Sequence, residues 1–136
     1  MAASLLGSRS WMTPKIMYGN RSFSGPMQFP APLTLPFQGL YVIVVPDDKF
    51  TPRPFRLLYI GESADVKERA TKQHEKFDDW VREAAGRPLY IGYSSTLGMT
   101  DQQRKGEECR LINEYNPPCN VRKDLLGIGL ARLLKK

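Results

Sequence analysis

At 136 residues the chain has room for one domain, and a domain of this length builds a core without disulfide staples. Hydrophobic residues at 41% and charged residues at 25% exclude disorder over the whole chain, and no apolar run nears the ~18 residues of a membrane-spanning helix. The net charge of +6, from 20 Lys and Arg against 14 Asp and Glu, favours an anionic partner, nucleic acid being the commonest; the plainer alternative is a surface kept basic for solubility.

Residues 1–38 differ in texture from the rest. They hold no Asp or Glu and carry Pro14, Pro26, Pro30, Pro32 and Pro36. Prolines at this density continue neither a helix nor a central strand. The segment therefore reads as a Pro/Gly/Ser-rich extension that wraps the domain or stays partly mobile. From Gly39 the run GLYVIVV is β-branched and aromatic, which predicts a strand. Pro46, Asp47, Asp48, Pro52 and Pro54 mark a loop, and FRLLYIG over residues 55–61 predicts a second strand, paired with the first as a hairpin. Ser63 is a candidate N-cap for a helix over residues 64–73. A second helix is expected over residues 76–85, stopped by Gly86. PLYIGYSST predicts a third strand. Thr100 and Gln103 form a capping box for a helix that runs to Tyr115 and ends at Asn116-Pro117-Pro118. A short basic helix is expected within residues 121–136, packed on or extending the domain. The expected class is α+β: a small three-stranded, mainly antiparallel sheet flanked by helices over residues 39–120. The two cysteines, Cys109 and Cys119, fit no zinc spacing and are too few for a disulfide scaffold, so reduced thiols in a cytoplasmic protein are expected.

The chemistry narrows by elimination and then by pattern. One histidine, His74, excludes HExxH and histidine-rich zinc sites, and no Walker loop or GxSxG occurs. What stands out is GLY ending at Tyr41, YIG beginning at Tyr59, Arg69 ten residues later, Glu108 in EECRLINEY, and Asn120 at the end of NPPCN. This order resembles the GIY-YIG nuclease superfamily over residues 39–120. The resemblance implies a divalent-metal-dependent endonuclease that hydrolyses phosphodiester bonds in DNA, with RNA as the lesser alternative. It further implies Tyr41 as general base supported by Tyr59, Arg69 on the phosphate, Glu108 holding Mg²⁺ or Mn²⁺, and Asn120 positioning the site. The alternative expectation is a scaffold of this family that binds nucleic acid or protein without cutting.

Residue chemistry runs beside the resemblance. A phenol takes up a proton once its pKa, about 10 when unperturbed, is pulled down by a cation. Arginine grips phosphate bidentately at any working pH, and a glutamate is a hard oxygen ligand suited to Mg²⁺. Leu111, Ile112 and Tyr115 follow Glu108 at +3, +4 and +7, which puts Glu108 on the buried stripe of its helix and turns Glu107 towards solvent. Against these stand plainer readings: a strand tyrosine that only packs, an arginine within Lys67, Glu68 and Lys72 that is only surface charge, and an ordinary turn asparagine. Two departures from the family pattern are visible. Residues 42–58 form a longer connection between the two tyrosine motifs. The histidine that members place four residues after the arginine is replaced there by Gln73, and His74 comes one later. In a regular helix His74 lies about 140° from Arg69 and faces elsewhere. A π-bulge, or a helix that stops near Gln73, would bring it to Tyr41 as proton acceptor or hydrogen-bond partner.

Overall fold

A strand whose two faces are both covered has no reason to alternate apolar with polar residues, and GLYVIVV does not alternate. The computed structural model describes residues 15–30, 33, 36–47 and 55–120, and in it this run is buried from Gly39 to Val45. The elements in chain order are strands β1 (Lys15–Tyr18), β2 (Arg21–Gln28), β3 (Gly39–Pro46) and β4 (Phe55–Ser63), helices α1 (Val66–Arg69) and α2 (Phe77–Ala84), strand β5 (Tyr90–Ser95) and helix α3 (Asp101–Tyr115). The strands form one sheet in the order β1-β2-β5-β3-β4, with every pairing antiparallel. Among the described residues no helix is long and apolar enough to cross a membrane.

The α+β class stands, but the three-stranded sheet is corrected to five strands. The two additional ones come from the segment whose prolines argued against pairing. Lys15–Tyr18 and Arg21–Gln28 form a hairpin around Gly19 and Asn20, and β2 then pairs with β5. Pro26 is tolerated in this inner strand because the ladder breaks between Ser24 and Met27, and a bulge is where a residue without an N–H does least harm. The C-terminal helix expected over residues 121–136 and the loop over residues 48–54 lie outside the described residues.

The sheet divides two cores. On one face Leu40, Val42, Val44 and Ile60 pack with Ile16, Phe23 and, from α3, Leu111 and Ile112. On the other, Tyr41, Ile43, Tyr59 and Ile91 pack with Val66 and Ala70 and with Trp80 and Ala84 of α2. FRLLYIG serves both faces through a bulge. Ile43 pairs with Tyr59 but Val44 pairs with Leu57, so Leu58 is the extra residue and joins Tyr59 on the Trp80 side. One inserted residue thus aims Tyr59 while keeping Leu57 and Ile60 on the α3 side.

Strand β4 is an edge, and its outward backbone groups need partners. Residues after α3 supply them. The amide N–H of Cys119 donates to the Leu58 carbonyl at 3.0 Å. The Asn120 side chain accepts from the Ile60 N–H at 2.8 Å and donates to the Ile60 carbonyl at 2.9 Å, as a paired strand would. Asn120→Ala strips both partners from Ile60, the residue after Tyr59, and is expected to cost about 1–3 kcal/mol. Urea unfolding checks it; an unchanged midpoint would show that water serves this edge equally well.

Helix α3 starts at the predicted cap, but α1 neither starts nor ends where the sequence predicts. Thr100 and Gln103 make the expected capping box, and Asn116 closes α3 in the left-handed region. The helix expected over residues 64–73 is only Val66–Arg69, capped by Asp65, whose side chain accepts from the Glu68 N–H. Ser63 makes a tight turn with Asp65 instead. Turns occupy the stretch between α1 and α2, and His74 stands in them.

Candidate active site

Five separate segments carry the predicted residues. Tyr41 comes from β3, Tyr59 from β4, Arg69 from the last position of α1, His74 from the following turns, and Glu108 from α3. The Tyr41 and Tyr59 rings lie 6.1 Å apart. His74 is buried among Tyr41, Tyr59 and Trp80, with ring centroids at 6.0, 5.3 and 4.5 Å. Its Nε2 stands 2.8 Å from the Tyr41 hydroxyl. Between the two geometries that could deliver His74, the structure takes the early helix stop. Gln73 remains exposed on the wall of an open cleft of about 290 Å³ that Ser63, Arg69, Thr71 and His74 also line.

The tautomer of His74 follows from its second nitrogen. The Lys76 backbone N–H donates to Nδ1 at 2.9 Å. A neutral imidazole that accepts at Nδ1 carries its proton on Nε2. Nε2–H therefore donates to the Tyr41 oxygen, and His74 is a hydrogen-bond donor rather than a proton acceptor. Burial, aided by the Arg69 charge, holds its pKa down at about 4, so the ring is neutral at pH 7. The unfolded histidine titrates near 6.5. Because the folded value is the lower one, the contribution of His74 to stability is complete above about pH 6.5 and is lost as pH falls towards 4. Urea unfolding of wild type and His74→Gln at about pH 7.5 and about pH 5 is expected to show the larger acid loss in wild type. Equal losses would mean that the folded ring titrates normally.

The phenols depart from the expected direction. Arg69 does pull both down, but burial outweighs it. Burial, with the Glu108 charge behind it, pushes Tyr59 up to about 12, and burial together with Tyr59 carries Tyr41 higher still. Both are therefore neutral phenols in the resting protein. Arg69 is held by Glu75 through a two-pronged ion pair, Nη1 to Oε1 at 2.8 Å and Nη2 to Oε2 at 3.0 Å. That pair holds the Glu75 carboxyl down at about 2. It lies at the surface, where ion pairs exchange readily for phosphate.

Glu108 is buried, as its place beside Leu111 and Ile112 predicts. Helix α3 covers the sheet face opposite Trp80, yet the Glu108 charge bears on both tyrosines. The rotation of α3 is set one turn earlier by Arg104, which is 2% exposed. Its Nε donates to Glu62 at 2.6 Å and Nη1 donates to Gln38 at 2.7 Å, tying the helix to the end of β4 and the approach to β3. Arg104 and Glu108, four apart, share a helix face. Asn120 does not join the cluster: both ends of its amide are spent on Ile60. Sequence reasoning missed Glu75, Trp80 and Arg104 as parts of the site. Glu75 and Trp80 reach it through an irregular turn that has no periodic signature, and Arg104 reads locally as one more charge on a polar helix. Among the described residues, no three His, Cys, Asp or Glu side chains cluster as a ready-made metal cage. No family model matches the chain, and neither a curated protein nor a solved structure matches it.

Proposed function

We propose that the chain is a divalent-metal-dependent endonuclease of the GIY-YIG kind, hydrolysing phosphodiester bonds in DNA. The observation that carries this reading is the convergence of Tyr41, Tyr59, Arg69, His74 and Glu108. The resemblance singles these out far apart in sequence; Tyr41 and Tyr59 meet His74 in one buried cluster, Arg69 and His74 line the cleft beside it, and the Glu108 charge bears on both phenols. The donor set fits a hard ion: one buried carboxylate, Glu108, would hold Mg²⁺, whose remaining positions ordinarily go to water and substrate phosphate. When bound, the ion supplies neutralisation of phosphate charge and a more acidic water.

The protein's own groups do the rest. Arg69 exchanges Glu75 for the phosphate oxygens and clamps them as a planar fork. Tyr41 first releases its hydroxyl proton to solvent, a loss favoured by the Arg69 charge and by the charge of the ion when bound; the phenolate oxygen then accepts the proton of the attacking water, and the leaving oxygen takes up a proton from solvent. The Nε2–H of His74 donates to that oxygen throughout, which favours the charged phenolate. The Tyr59 ring packs against both Tyr41 and His74, and the Trp80 indole against His74 keeps bulk water from the imidazole. The test is conversion of supercoiled plasmid to nicked or linear forms in Mg²⁺. Wild type should cut, and Tyr41→Phe should cut about 10²- to 10⁴-fold more slowly with DNA affinity nearly unchanged. Binding without cutting would leave the non-cleaving scaffold, and undiminished cutting by Tyr41→Phe would remove that hydroxyl from the mechanism.

A further inference from the structure

The face that carries Tyr41 does not end at the cleft. Tyr93 of β5 stands directly opposite Tyr41 in the ladder, and Ser24 of β2 stands directly opposite Tyr93. On the far side Gly61 stands opposite Tyr41. These four form one row across the sheet, with neighbouring strands about 4.8 Å apart. Helices α1 and α2 close the Tyr59 end of this face. At the β2–β5 end, Phe37 and Tyr93 stay half-buried, with ring centroids 5.4 Å apart and planes tilted by 52°. With Ser22, Ser24, Ser94 and Ser95 they line a depression of about 250 Å³.

We propose that this depression is a subsite for one unpaired nucleobase of the strand being cut; the inference rests on the nucleic-acid reading above and adds the substrate class, single-stranded or locally unpaired DNA. Two half-buried aromatic rings supply the stacking surface that every base can use, and serine hydroxyls supply donors and acceptors for its polar edge. Phosphate is the poorer match. Among the described residues no Lys or Arg lines the depression. The Arg21 guanidinium is bonded to the Ser94 hydroxyl at 2.9 Å and held by Glu107 at 3.1 Å. A stacked base pair is larger than a space of this size accepts, which leaves a single base.

The placement relative to Arg69 completes the argument. Gly39 pairs with Ser95 on one side and Ser63 on the other. Ser95 belongs to the aromatic depression and Ser63 to the Arg69 cleft. The two subsites therefore flank Gly39 about two strand spacings, or about 10 Å, apart, a separation that a neighbouring nucleotide bridges. Gly39 itself is buried beneath the Phe37 ring, which leaves no room there for a side chain. A Cβ on Gly39 would run into the Ser94 carbonyl and stand 3.1 Å from the Phe37 ring.

The experiment measures anisotropy of the full chain, without divalent ion, on a labelled short oligothymidylate and on a strand of equal length made of abasic residues. Wild type should bind the thymidylate about 5- to 150-fold more tightly than the abasic strand. Tyr93→Ser and Phe37→Ser should erase that preference, Tyr93→Phe should keep it, and affinity for the abasic strand should be the same in all four proteins. Equal affinity of wild type for the two strands, or a preference that survives loss of both rings, overturns the subsite and leaves phosphate binding intact. Failure to bind either strand overturns the nucleic-acid reading and this inference with it. Photocrosslinking of wild type to an iodouracil-containing strand provides a readout that no substitution can confound. Attachment at Tyr93 or Phe37 supports the subsite, and attachment confined to other residues overturns it.

Discussion

Glu108→Gln should lose metal-stimulated cleavage by at least about 10²- to 10³-fold, while Glu107→Ala keeps most of it. The two neighbours sit on different faces of α3. Glu108 is buried beside Leu111 and Ile112 and its charge bears on Tyr41 and Tyr59. Glu107 lies nearer solvent and accepts from Arg21 and Arg110. Glutamine keeps the shape of Glu108 and one carbonyl oxygen but removes the charge that a hard cation requires. Calorimetric titration with Mg²⁺ should show binding in wild type and Glu107→Ala and none in Glu108→Gln, with circular dichroism unchanged. Removing Glu107 breaks partly exposed ion pairs and is expected to cost about 1 kcal/mol of stability. Reversal of the two activity results would place the metal-holding face of α3 one residue earlier.

Gly61→Ala should reduce cleavage as severely as loss of the Tyr41 hydroxyl, although it removes no functional group. Gly61 stands opposite Tyr41, and the tyrosine ring lies across it. An added Cβ would sit 2.5 Å from the Tyr41 hydroxyl oxygen and 2.8 Å from Cε2. The ring cannot simply swing aside: it is fully buried and its oxygen is tied to His74. Overpacking of this kind typically costs about 1–3 kcal/mol. The displaced oxygen also loses its alignment with Nε2, so the variant should resemble Tyr41→Phe in turnover while retaining DNA affinity. Wild-type turnover in Gly61→Ala would show that the ring's position is not critical.

The inner half of the sheet and the best-capped helix were legible because their signals are local. GLYVIVV is a strand buried on both faces, and Thr100 with Gln103 announces α3 within four residues. The N-terminal hairpin was not legible, because Gly25 and Pro26 break the strand pattern that a bulge and pairing to β5 restore. That pairing joins residues more than sixty apart, which no local window contains. The early end of α1 has the same origin. Nothing between Thr71 and Gln73 forbids a helix, but packing the His74 ring against Tyr59 and Trp80 does. At the site, residue types carried Tyr41, Tyr59, Arg69, His74 and Glu108. They could not carry direction. That Nδ1 of His74 is occupied by the Lys76 N–H, and that burial beats Arg69 at the phenols, are properties of the folded surroundings.

The seal on β4 has a consequence for the order in which the chain acquires its shape. Strand β4 is synthesised some sixty residues before the Asn120 amide that satisfies Ile60, and β2 waits as long for β5. On the ribosome the hairpin β1–β2 and the pair β3–β4 therefore emerge early with open edges. The sheet closes only when β5 has inserted between them and the residues after α3 have arrived. Long-range closure of this kind makes folding slow relative to local helix formation. Until then Leu58 and Ile60 offer unpaired N–H and C=O groups to any neighbouring chain, the geometry that seeds strand-to-strand aggregation. Fragments that stop at Tyr115 are accordingly expected to aggregate during expression, and fragments that reach Asn120 to remain dispersed.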